Sequence, residues 1–316
     1  MDKKIKIIFA GTAEIATPLL HSLKKDERFE VSLVITQKDR PAGRKMELTP
    51  SPAKKTAEEL GIPVFQPDDI NTPESINKIK SENPDSMIVM AYGQILRSDV
   101  LNIPKQGCIN IHASLLPKYR GASPIQSALL NQEKETGISI MKMAERMDAG
   151  PVFAKLPTAI GENDNAITLT EKLAHLSAHQ SRDTIYSAST GEINPEKQDE
   201  KSATYCTKIK KEDGNINWNE DANIILSKIR AFAGWPGTYT YFNGKLLKIL
   251  EGEVSNSDHN KSPGSVFKSD DKIVIAAKND VIIPSLLQME GKNPQNINDF
   301  INGNPDFINS KLTPTP

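Results

Sequence analysis

Residues 108–117, CINIHASLLP, read as a buried strand that carries an asparagine and a histidine two positions apart before breaking at a proline. On a strand, side chains two apart share a face, so Asn110 and His112 project together while Ile109 and Ile111 point the other way. A buried amide and imidazole are costly unless partnered. Asp148, in MDAG, follows the next expected strand, and in a parallel sheet its loop emerges at the same edge as Asn110 and His112. The three would then bring an amide donor, a proton-transfer group and a carboxylate that favours the imidazolium to one rim. That set suits addition of an amine to a carbonyl, where charge develops on oxygen and the amine must lose a proton. The plainer alternative is a core histidine satisfied by its neighbours, and the residue pattern alone leaves both open.

Other chemistries fit less well. Ser114 lies near His112, but no G-x-S-x-G elbow accompanies it. Cys108 sits inside the apolar run and reads as a small core residue. FAGTAE, after the first strand, lacks the three-glycine dinucleotide fingerprint. His112 has no histidine, cysteine or acid at ligand spacing, and neither cysteine is in a metal-binding pattern, so no metal is expected. Between Thr36 and Pro52 runs TQKDRPAGRKMELTPSP, too rich in proline, glycine and charge for the sheet. Its Arg40, Arg44 and Lys45 could hold phosphates, although Asp39 and Glu47 dilute their charge and a solvated loop is the alternative.

The elements that must position these groups are legible as an alternation. Short apolar runs at 5–10, 31–36, 85–92, 108–113 and 137–143 are separated by helical patterns at 14–25, 51–60, 75–82 and 124–131. Apolar strands between amphipathic helices indicate a Rossmann-like, doubly wound, mostly parallel sheet with ligands at the carboxyl ends of its strands. One long helical segment from Ala166 to Ser189 closes this unit. GEINPEKQDEKSATYC is polar and aperiodic and reads as a linker. Beyond it one helix (220–232) and short β-like runs joined by NG, SPG and DD turns suggest a small OB-like barrel. The division expected is therefore 1–190, a linker at 191–207 and 208–316.

Charge and composition narrow the setting. With 316 residues, 39 lysines and arginines and 40 acids, the chain has no bulk charge for a polyanion or an anionic membrane. Two cysteines, the lack of a signal-type apolar segment at MDKKIKIIFAGT and the lack of any membrane-length run indicate a cytoplasmic protein without disulfides.

Taken together, IIFAGT, TQKDRPAGR, PSPAK, PVFQP, VMAYGQILRSDVL, GCINIHASLLPKYRGASPIQ, ETGISIMKM, MDAGP, INW, IRAF and WPGTYTYFNGK resemble the methionyl-tRNA formyltransferase family, nearly end to end. Single motifs are shared with the wider 10-formyltetrahydrofolate-dependent formyltransferases; R-P-A-G-R with the C-terminal region is more specific. The resemblance implies transfer of a formyl group from 10-formyltetrahydrofolate, as co-substrate, to initiator methionyl-tRNA by a monomer. It implies Asn110, His112 and Asp148 as the catalytic residues. It implies folate contacts at Ser114, Leu115, Leu116 and Pro117, and at Met90, Gln94, Ile95 and Leu96. The loop matching Arg40, Arg44 and Lys45 is implied to meet the acceptor stem, Arg44 above all. The chain departs from the pattern in KMEL after R-P-A-G-R and in AFAGWPG before the tryptophan. Residues 191–316 hold 15 lysines and arginines against 17 acids, so any grip on tRNA there rests on local groups such as Lys208, Lys210 and Lys211. A sugar-amine formyltransferase and a formyltetrahydrofolate hydrolase are the enzymatic alternatives, and a non-catalytic tRNA-binding protein is the alternative from another class.

Overall fold

The computed structural model describes residues 4–42 and 46–316. Contacts divide the chain into two compact units, the first made of 1–124, 135–159 and 170–206, the second of 125–134, 160–169 and 207–316.

The first unit is built on a seven-stranded sheet. Its spatial order is Val152–Ala159, Glu135–Lys142, Cys108–His112, Ser86–Met90, Ile5–Gly11, Phe29–Ile35, Val64–Phe65. The five strands from Cys108–His112 to Val64–Phe65 run parallel. Ile7, Ile8, Phe9, Val34, Ile35, Met87 and Ile88 are fully buried, as apolar-throughout strands covered on both faces must be. The covering helices start where small polar residues precede proline. The Ser51 hydroxyl accepts from Lys54 N ahead of Pro52–Glu59, and the Thr72 hydroxyl accepts from Ser75 N ahead of Pro73–Glu82.

Three features differ from the sequence reading. Glu135–Lys142 runs antiparallel to Cys108–His112, with Asn110 opposite Met141 and His112 opposite Ser139, so the parallel run stops there. A further antiparallel strand, Val152–Ala159, forms the edge beyond it. Its half-exposed alternation and its Pro157 hide it from a search for apolar runs, and both belong to an edge strand. The segment between Ala166 and Ser189 is two helices, Ala166–Gln180 and Arg182–Thr190, that meet at buried Ser181.

In the second unit a six-stranded antiparallel sheet runs Thr238–Phe242, Lys245–Ser255, Val281–Met289, Lys272–Ala276, Val266–Ser269, with Gln295–Asn296 pairing on Val281–Met289. Two of its connections are the tight turns read from NG and DD: Asn243 and Gly244, and Asp270 and Asp271, all have positive φ. The last segment joins both edge strands. Val266 N donates to Ser310 O and Tyr241 N to Thr313 O, both at 2.9 Å, which closes the sheet into a barrel. Trp218, Ile225, Phe242, Leu247, Ile249, Phe300 and Phe307 fill it, with Ile225 and Ile229 one turn apart on helix Ala222–Ala231.

Candidate active site

Asn110, His112 and Asp148 meet. The strand Cys108–His112 is buried except at half-buried Asn110. Asn110 Nδ2 donates to Asp148 Oδ1 at 3.2 Å, and His112 Nδ1 lies 3.7 Å from Asp148 Oδ2, longer than a hydrogen bond. Asp148 Oδ2 also accepts the Gly121 backbone N–H at 2.9 Å. The route to this cluster is not the one read from the sequence. Because Glu135–Lys142 is antiparallel, the loop after it leaves beside Ile109, at the start of the central strand. It folds back as Met143–Pro151 and returns to pair with Lys142 N through Pro151 O at 2.9 Å. Asp148, at φ 49°, turns its carboxylate onto the shared face from there.

His112 is held in one tautomer. Its Nε2 is 2.9 Å from the carbonyl oxygen of Tyr119. A carbonyl only accepts, so Nε2 carries a hydrogen and the neutral ring keeps its lone pair on Nδ1, the nitrogen that faces Asp148. With 6% of its surface exposed, the imidazole is shielded from bulk water.

Residues that drew no attention in the sequence hold this geometry. Gly121 pairs with Cys206, and a Cβ on it would stand 2.1 Å from Cys206 O at a φ of 121°, so only glycine brings its N–H to Asp148. Gly150 approaches as closely: its Cβ would lie 1.9 Å from Lys142 O. Arg120 is fully buried, paired with Glu200 at 2.8 Å and bonded to Gln198 and Tyr205. Glu200, foremost, raises the Arg120 guanidinium above its ordinary value. Hydrogen bonds from Arg120 and then Arg146 draw the exposed Tyr205 hydroxyl below its own. Gln198 and Glu200 lie in the polar segment read as a linker. A single glutamine in an aperiodic stretch carries no pattern that could have singled it out.

The positions implied for folate contacts separate into two groups. Ser114 is fully buried with its hydroxyl donating to Lys118 O at 2.6 Å; Leu116 is fully buried and its N–H bonds Ser139 Oγ at 2.9 Å. Met90 and Leu96 are core residues, and Gln94 spends its amide on Ile70 N, Pro67 O and Asp68 O. Gln94, Leu115 and Pro117 are half-buried and Ile95 is exposed, so these side chains reach the surface. Arg40 is exposed at the base of the hairpin Arg40–Ala42/Glu47–Thr49 and donates to Gln37 Oε1. Asp39 pairs with Lys54 at 2.7 Å, and this contact keeps its carboxyl below the ordinary value and therefore ionised. Arg44 and Lys45 lie outside the described residues.

A cavity of about 300 Å³ opens at the start of strand Cys108–His112, lined by Ser98, Lys105, Lys142 and Glu145 among others. It contains none of the three converging groups. Among the described residues, no three histidine, cysteine or acidic side chains gather as a metal site, and no helix is long and apolar enough to cross a membrane.

Residues 3–182 match the formyl transferase family, and residues 208–305 match the formyl transferase C-terminal domain. The chain belongs to the formyl transferase family. This bears out the resemblance read from its motifs. Curated members of the family include the methionyl-tRNA formyltransferase of Caldanaerobacter subterraneus subsp. tengcongensis, 42% identical over 95% of this chain and 97% of that protein. The methionyl-tRNA formyltransferase of Bacillus subtilis is 40% identical over 94% of each. The family fold is seen in the solved methionyl-tRNA formyltransferase from Clostridium thermocellum, at a TM-score of 0.59 and 19% identity, covering 89% of this chain and 99% of that one. It is seen again in an N-formyltransferase from Helicobacter canadensis, in complex with folinic acid and dTDP-3-aminofucose, at a TM-score of 0.67 and 21% identity over 90% and 99%.

Proposed function

We propose that this chain is a cytoplasmic methionyl-tRNA formyltransferase, moving the formyl group of 10-formyltetrahydrofolate onto the α-amino group of methionine esterified to initiator tRNA. The observation that carries the reading is an identity of 40 to 42% to relatives of that name over 94 to 95% of the chain, through both family domains. The convergence of an amide, an imidazole and a carboxylate on one sheet face supports it.

In this reading the amine nitrogen bonds to the formyl carbon and the bond from that carbon to N10 of the folate breaks. Asn110 spends one amide hydrogen on Asp148, and its second is the donor for the oxygen on which charge develops. Since Nε2 of His112 is committed to the Tyr119 carbonyl, Nδ1 is the atom that takes the proton from the attacking amine. Asp148 then faces the imidazolium and stabilises it, while its own position is kept by Gly121. The proton is passed on to the departing N10. Ile95, Leu115 and Pro117 are the apolar side chains proposed to meet the folate. Arg40, with Arg44 and Lys45, is proposed to meet tRNA phosphates.

Incubation of the chain with 10-formyltetrahydrofolate and aminoacylated initiator tRNA, with elongator tRNA, free methionine and an amino sugar nucleotide as controls, tests this. Formylation of the initiator alone is expected. Formylation of the sugar amine, or formate release that does not depend on tRNA, would replace the reading with one of its enzymatic alternatives.

A further inference from the structure

Asp148 is a non-glycine residue at φ 49°, and its carboxylate stands 3.7 Å from His112 Nδ1, so a small shift of its backbone decides whether the two groups can share a proton. The backbone at that point is gripped by one side chain. Gln198 Nε2 donates to Asp148 O at 2.8 Å and to Gly150 O at 2.7 Å. Its Oε1 accepts from Arg120 Nε at 3.1 Å and Nη2 at 2.9 Å. Because a guanidinium only donates and a carbonyl only accepts, the amide has one orientation, with all its hydrogens aimed at the Asp148 loop. Arg120 is itself immobilised by Glu200 and Tyr205, and the residue after it, Gly121, bonds the Asp148 carboxylate. Backbone and side chain of Asp148 are thus fixed from the same two-residue segment, once directly and once through Gln198.

We propose that Gln198 is a positioning residue, which sets the Asp148 carboxylate against His112 by clamping the carbonyls on either side of Ala149. This rests on the reading of Asp148 as the acid partner of His112 in formyl transfer.

The test compares Gln198→Glu, Gln198→Met and Asp148→Asn with the unaltered chain, in steady-state formylation across pH and in thermal unfolding. Glutamate keeps the contact with Arg120 but replaces the two donated hydrogens with a carboxylate facing two carbonyls; methionine keeps the volume without either polar group. For both Gln198 variants kcat is expected to fall roughly 10- to 100-fold, with KM for tRNA and for the folate within about twofold. The limb of the kcat–pH profile that reports the imidazole is expected to move by about half a pH unit or more, which lost stability alone would not cause. Should Asp148→Asn be inactive while both Gln198 variants keep the ordinary kcat and pH profile, the clamp has no positioning role. A rise in KM alone would overturn it equally. Near-normal turnover in Asp148→Asn would remove the reading of Asp148 itself, and the clamp with it.

Discussion

His112 is useful because its two ring nitrogens have unlike neighbours: a carbonyl fixes the hydrogen on Nε2, and a carboxylate faces Nδ1. A nucleophilic role for Cys108 lacks the corresponding environment. Burial pushes its thiol up to about 12, and the thiol donates to Leu101 O at 3.8 Å. Cys206 is half-buried. With an alkylating reagent near neutral pH, label is expected on Cys206 in the native chain and on both thiols after denaturation, read by peptide mass. Native labelling of Cys108 at the rate of Cys206 would contradict this. At this scale the period-two spacing made Asn110 and His112 legible as a pair, and the apolar run around it marked Cys108 as core. Asp148 was found by proximity in sequence, through an argument about parallel strands that does not hold. Gln198 was illegible, because its role comes from the place where a polar, aperiodic segment crosses the Asp148 loop.

Among elements, the short pairing of Arg120–Gly121 with Tyr205–Cys206 matters more than its size suggests, since it delivers the Gly121 N–H to the carboxylate. Gly121→Ala would drive a methyl to 2.1 Å from Cys206 O in a left-handed backbone conformation. A loss of about 2–4 kcal/mol in unfolding free energy is expected, by denaturant titration, together with a lower kcat. An unchanged midpoint would mean that the strand pair relaxes freely. The central strands were legible because they are apolar on both faces, and the NG and DD turns because positive φ selects those residues. Val152–Ala159 escaped because edge strands need neither signature. So did the antiparallel sense of Glu135–Lys142, as strand direction leaves no trace in an apolar run.

Over the whole molecule, 39 basic side chains against 40 acids leave no net positive charge to attract a polyanion, and the 191–316 portion is slightly acidic. In the proposed function, affinity for tRNA comes from local groups such as Arg40, which are separate in sequence from Asn110, His112 and Asp148. The barrel of the second unit was legible from strand spacing, but its closure was not: the joining segment, Asn309 to Thr313, is too short and polar to read as a strand. Chemistry and binding should therefore be separable by one substitution. The most direct measurement is single-turnover formyl transfer to initiator methionyl-tRNA by His112→Ala, paired with the tRNA dissociation constant of the same protein. Transfer is expected to fall by about 10³-fold with affinity held within about threefold. Near-normal transfer in the folded variant would contradict the account.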